Sequence, residues 1–410
     1  MASIKEQFEI PGRLKTWAYS LIGIGGAVLL YGMFTKGFSS DEHEQVHFWG
    51  TLMYNTIFWT LICNAAMFFL SFSAMAQAAW MQSFRRVPEA ISTLVPVFGG
   101  ITLMVLLYII FGHKHHIYHW LDAEAVAKDP ILKGKVGFLN PTFFVIWTTL
   151  TISLWSLFGY RMRQLNNQAD VAPMDAPTAK AFNIQSMVRS GFFLVWFGLT
   201  VASTIPWLWM MSIDAHWYST MYSWYTFASS FVAGMALIAL WLVYMKNKGY
   251  MELSNSEHLH DVGKFMFAFT VFWAYLWLSQ YLLIWYAQIP EEMAYYQIRF
   301  ENYKFNFLLN FVMCFCIPFL GLLMRSAKRN RYVLAIIGSI MILGHYHDVW
   351  LMVFPGVFGS GMQFGFLELG TFLLFAGVFT YWVFTALTKR GLVAVNHPYL
   401  DESAHHDVGV

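Results

Sequence analysis

The chain has 410 residues, 58% of them hydrophobic and 12% charged, with a mean hydropathy of +0.50. A soluble domain carries about 25% charged residues, so this chain cannot clothe a water-exposed surface of its size, and its main solvent is lipid. The net charge of +2 excludes a nucleic-acid footprint, which needs a dense basic patch.

Arg13 and Lys15 precede an apolar run with no small-residue cleavage site at its end, which predicts a first spanning helix rather than a removable signal. Segments of roughly 18 or more mainly apolar residues mark spans. The chain offers ten: 14–34, 48–77, 87–112, 139–163, 188–213, 218–245, 262–288, 305–325, 331–353 and 364–388. Pro206 predicts a kink in the fifth. The polar, Pro/Ala-rich stretch 164–187 reads as the longest linker. Cys63, Cys314 and Cys316 all lie in apolar runs without a CxxC, as buried small apolar residues do.

Basic residues alternate between the two sets of connections. One set, from Lys5, Arg13 and Lys15 through to Lys389 and Arg390, holds 18 of the 25 Lys and Arg. The rule that basic residues stay inside then places both termini in the cytoplasm. Spans two to five and six to nine form two sets of four with the same orientation. The predicted fold is therefore an all-α integral membrane protein of ten helices: two four-helix bundles, helices 2–5 and 6–9, flanked by helices 1 and 10. The corresponding divisions are 1–47, 48–213, 214–353 and 354–410.

Ionisable groups in or beside spans are the informative ones, because burying charge in lipid costs several kcal/mol. On the cytoplasmic side these are Glu89, Asp261 and Lys264. The two carboxylates begin helices, where they can also act as caps, and Lys264 is close enough to the interface to snorkel. On the outer side "GHYHDVW" supplies His345, His347 and Asp348, and "FGFLELG" supplies Glu368. Helices nine and ten would bring these two carboxylates and histidines to one depth, as a group able to pass protons. In "HKHHIYHW", His113 with His116 and His115 with His119 would share helical faces, but no carboxylate or Cys ligand is adjacent, and no metal site is expected. Histidines gather at the outer ends of spans rather than in facing pairs at depth, which argues against haem b. No Fe–S, flavin or nucleotide signature is present. Redox carriers, if the chain serves any, belong to other subunits.

In "FWAYLWLSQYLLIWYAQIPEE" (272–292), Trp273, Trp277 and Gln280 share one helix face and Tyr275, Ser279 and Tyr286 another. Packing between helices and an aromatic belt account for most of them. The longer stretch "HDVGKFMFAFTVFWAYLWLSQYLLIWYAQIPEE" (260–292) resembles the signature helix of the large membrane subunits of bacterial alternative complex III, in the polysulfide-reductase (NrfD-like) family. "DVWLMVFPG" (348–356) and "LELGTFLLFAGVF" (367–379) resemble the family's last two helices, and the tail "NHPYLDESAHH" resembles that of the shorter, F-type paralogue. The resemblance implies a bacterial cytoplasmic-membrane subunit of a quinol:electron-acceptor oxidoreductase. Its partners would be a longer NrfD-like paralogue, an iron–sulfur subunit and multihaem cytochrome c subunits, with haem c and Fe–S clusters on those partners and no redox cofactor on this chain. It carries a proton role onto Asp261, Lys264, Asp348 and Glu368; Glu89, His345 and His347 join them from the reading of the residues alone. The competing expectations are a quinol-oxidising subunit of the same kind, with a quinol bound near His345, His347 and Asp348, and a stand-alone secondary transporter.

Overall fold

The structure is a computed structural model describing residues 7–359 and 364–407. Lys5, counted among the basic residues above, and Ser360 and Gly361, between the predicted ninth and tenth spans, lie outside them. The described residues contain no strand and ten helices long and apolar enough to cross a membrane: α1 Gly12–Gly37, α2 Glu42–Met75, α3 Arg86–Phe111, α4 Pro141–Asp170, α5 Ala176–Ile213, α6 Met221–Asn247, α7 Ser256–Ala287, α8 Lys304–Gly321, α9 Arg331–Phe358 and α10 Phe366–Thr388. The protein is a multi-pass membrane protein, as its composition predicts.

Two rings of four carry the architecture. In the first bundle α2 packs on α3 and α5, and α4 closes the ring; in the second, α6 packs on α7 and α9, with α8 closing it. The bundles meet along α2 and α6, the two most enclosed helices. Helix α1 lies almost wholly on α10, which in turn leans on α2. That first contact is made through backbone. A Cβ on Gly25 would stand 2.5 Å from the Gly370 carbonyl oxygen, and one on Gly377 would stand 2.9 Å from the Ile22 nitrogen. Close approach through small residues substitutes for the hydrophobic drive that lipid removes.

Helix starts follow local chemistry. Asp41, Asn140, Asp175 and Asn330 accept from free N–H groups of the first turns of α2, α4, α5 and α9, each cap contributing about 1 kcal/mol. Asn255 and His258 form a reciprocal capping box at α7. These caps move several predicted boundaries. Asp175 followed by Pro177 starts α5 at Ala176, and α4 runs on to Asp170, so most of the predicted 164–187 linker is helix. Residues 290–302, between the predicted seventh and eighth spans, form a further helix. Helix α5 contains a π turn at Thr200–Thr204 just before Pro206, and α8 has the same device, Val312–Cys316, before Pro318.

Both described chain ends lie on one side, here the terminal side; the opposite side is distal. Phe8 stacks against Tyr250 and Phe384. The segment after α10 folds back under the bundles. Arg85 donates to His397 Nε2 at 2.9 Å, Ser403 is fully buried and donates to the Trp80 carbonyl, and His406 Nε2 lies 2.9 Å from Asp261. Burial, with Arg85 and Arg86 outweighing Glu89, pushes His397 down to about 3. An unfolded His titrates near 6.5. The docked tail therefore keeps its full stability above that pH and loses it progressively as pH falls from 6.5 toward 3, where the free tail binds the extra proton. Amide hydrogen exchange over 396–406 should accelerate in that window, and His397→Gln should flatten the dependence; a pH-independent wild-type rate would refute it.

Candidate functional site

Asp348 sits on α9 at the heart of the second bundle, 1% exposed. Three helices address its carboxylate with four donors. From α6, the Tyr225 hydroxyl donates to Oδ1 and Ser229 to Oδ2 at 2.8 Å; from α7, Trp273 Nε1 donates at 3.0 Å; from α8, Asn310 Nδ2 donates at 2.7 Å. A carboxylate has about four acceptor positions, and all are filled by neutral donors. Ser229 spends its one hydrogen on Asp348, so it must accept from His345 Nδ1–H, 3.0 Å away. His345, Ser229 and Asp348 thus form an ordered line, and the other imidazole nitrogen, Nε2, is buried with no partner.

Toward the distal side a cavity of about 20 Å³ opens beside Asp348, bounded by Tyr225, Gln280, Tyr296, Arg299 and Asn310. It has room for about one water, and the Gln280 amide nitrogen has no other partner. Arg299, 2% exposed, closes it. Its guanidinium donates to the carbonyls of Tyr295 and Leu351 at 2.7 and 3.1 Å and lies over the Tyr295 ring, itself stacked on Trp217. Asp214 is 3.9 Å beyond. Burial raises Asp214 above the usual carboxylate range against the pull of Arg299 and His119, and burial lowers His119. The two shifts bring the carboxylate and the imidazole toward each other, the condition for exchanging a proton between them.

Glu368 belongs to a second cluster, between α10, α2 and α1. It starts α10, where its Oε2 accepts from Gly365 N at 2.9 Å. Oε1 lies 2.6 Å from His47 Nε2 and 3.3 Å from the Thr51 hydroxyl. His47 Nδ1 lies 3.1 Å from Lys36 Nζ, and Lys36 pairs with Glu44 at 2.5 Å. An ammonium only donates, so His47 Nδ1 must accept and its proton sits on Nε2, facing Glu368. Side-chain exposure falls along this line from 38% at Glu44 through 30% and 10% to 0% at Glu368. Inside it, Tyr346 bonds the Glu368 carbonyl, Asn55 and Tyr54.

The expectation of one distal group is thus corrected. Asp348 and His345 come together, Glu368 pairs instead with His47, and His347 turns to Asn306 at 3.2 Å and stacks on Trp350. The geometric reason is that positions 345 and 348 are one turn apart, whereas 347 faces elsewhere. Nor do residues 112–118 form a helix, and His113 has a φ of +46°, so the histidine pairs there share no helical face.

On the terminal side the capping reading of the carboxylates gives way to ion pairing. Glu89 accepts from Arg85 at 2.9 Å, Arg86 at 2.7 Å and Asn166 at 2.7 Å, and Arg86 also pairs with Asp170. Asp261 lies in the second turn of α7, 2.6 Å from Lys264 and bonded to His406; Lys264 thus has an ionic partner rather than snorkelling freely. His47, Tyr225, Ser229, Asn310 and Arg299 escaped sequence reading. A signal existed for three of them. His47, Thr51 and Asn55, and likewise Tyr225 and Ser229, recur at four-residue spacing on one helix face.

No protein-family model matches the chain, and no curated protein matches it.

Proposed function

We propose that this chain is the redox-cofactor-free membrane subunit of a respiratory quinol:electron-acceptor oxidoreductase of the alternative complex III type, and that it conducts protons on the distal side. In this reading both termini are cytoplasmic, in the bacterial cytoplasmic membrane. The electron carriers reside on an iron–sulfur subunit and multihaem cytochrome c subunits, beside a longer NrfD-like paralogue. The observation that carries the proton role is the graded line Glu44–Lys36–His47–Glu368, running from half-exposed rim to complete burial. Such a buried carboxylate is expensive in a membrane and marks a proton relay by default. Asp348, with His345 on one side and a water-sized cavity on the other, supplies a second station.

The test uses the tagged chain with whatever co-purifies under mild detergent. Co-elution with c-type haem and an iron–sulfur protein is expected. In that assembly reconstituted into vesicles, Glu368→Gln should lower proton release per electron by about half while electron transfer continues. A partner-free, colourless protein would reject the complex, and an unchanged proton ratio would reject the relay.

One observation favours a second reading, quinol oxidation on this chain. A distal pocket of about 440 Å³ lies between residues 134–139 and 207–220, and Trp207 and Trp217 leave indole N–H groups unpaired. The cavity at Asp348 is too small for a quinone ring, so a photoreactive quinone labelling this chain should mark the Trp217 pocket.

A further inference from the structure

A pocket of about 480 Å³ lies away from these groups, on the terminal side between α3, α4 and α10. Arg86, Arg163, Lys389 and Arg390 line it, with Glu89 as the one carboxylate in the wall. Asp170 binds Arg86 and Arg390 from outside the wall. Two carboxylates thus face these four cations, and Glu89 is shared with Arg85 as well, leaving at least two positive charges without counter-charge. Arg163 bonds only the carbonyl and hydroxyl of Ser92, both at 3.1 Å, and the Lys389 ammonium has no bonded partner among the described residues. Cations held this close to lipid without counter-ions are costly. The surroundings say which anion would offset them. Tyr160 and Trp382, 58% and 40% exposed, stand in the pocket wall as residues of an interfacial aromatic belt do.

We infer that this pocket binds a phosphate-bearing anion, the headgroup of an anionic phospholipid, with its phosphate against Arg163 and Lys389 and its acyl chains leaving past Tyr160 and Trp382. Basic pockets between spanning helices recognise lipid phosphates in this way. A free phosphate would meet the same cations but would make no use of the aromatic, lipid-facing opening. The inference stands whether or not the chain conducts protons.

The test is native mass spectrometry of the full chain, delipidated and then offered diphosphatidylglycerol, phosphatidylglycerol, phosphatidylcholine or inorganic phosphate. One anionic phospholipid per chain is expected at a preference over phosphatidylcholine of about 30-fold, two cations' worth of attraction. The double variant Arg163→Gln, Lys389→Gln should lose that preference, while Arg163→Lys, Lys389→Arg should keep it. The exposed Lys389→Gln alone, which leaves packing untouched, should lose about fivefold. Absence of an anionic preference, or a preference unchanged in the neutral variants, would overturn the site. Inorganic phosphate binding as tightly as the lipids would overturn its assignment to a lipid.

Discussion

Asp348→Leu should unfold the protein at markedly lower temperature, by about 5 kcal/mol of lost stability. Four buried donors from three helices end on this one carboxylate, and each donor left without an acceptor costs about 1–3 kcal/mol. Asp348→Asn is the more instructive change. Its amide nitrogen must replace one oxygen. At Oδ2 it would face Trp273 Nε1, a donor that cannot reverse; at Oδ1 it would face the Asn310 amide, which could turn only by giving up its bond from Cys314. Ser229 and Tyr225 carry hydroxyls and can each reverse. The cost should therefore be about 2 kcal/mol, with the fold retained. On the proposed function the same variant stops proton passage at this station, so proton release per electron should fall while electron transfer persists. Thermal melts of both variants and the proton ratio of Asp348→Asn separate the two roles. A Leu variant as stable as wild type would remove Asp348 from the architecture, and an unaltered ratio in the Asn variant would remove it from the relay.

Gly25→Leu should be nearly as damaging, although it touches no charge. Its first side-chain carbon alone would press into the backbone of Leu374 and Gly370, and backbone cannot rotate out of the way. Helices α1 and α10 must then separate, losing their whole contact, for about 3 kcal/mol. Gly26 provides the control, because a Cβ there meets nothing within 4 Å. Gly26→Leu should be neutral or slightly stabilising, as the helix gains propensity by about 0.8 kcal/mol. Equal melting temperatures for the two variants would falsify the close-contact account.

The spans were readable from the chain because lipid leaves backbone no choice. A segment that crosses must be helical and apolar for its whole length. Asp348 and Glu368 stood out for the same reason, as charges where charge is expensive. Their partners did not, since Tyr, Ser, Trp and Asn in a span are ordinary packing and belt residues until a carboxylate is placed opposite them. Tyr225 meets Asp348 across 123 positions and His47 meets Glu368 across 321, separations that no local pattern encodes. His47 was also hidden by a predicted boundary at 48, one residue beyond it. The 164–187 stretch misled for the opposite reason. Its Asp, Pro and Ala suit a loop, yet Asp175 and Pro177 in that order are also a helix start. Arg299 lies between the predicted seventh and eighth spans, where a cation reads as solvated; the helix at 290–302 turns it inward.

The pairing of α1 with α10 bears on how the protein is made. Among the described residues α1 has its one extensive partner in α10, with about 350 residues of synthesis between them. At 5–20 residues per second, α1 waits on the order of 20–70 s before its partner exists. It is suited to waiting. Its side chains are largely turned to lipid, and the face that meets α10 is lined by Gly25 and Gly32. The two bundles can therefore fold in order of synthesis while α1 diffuses beside them. Closure by α10 is the step that a truncated or stalled chain would lack.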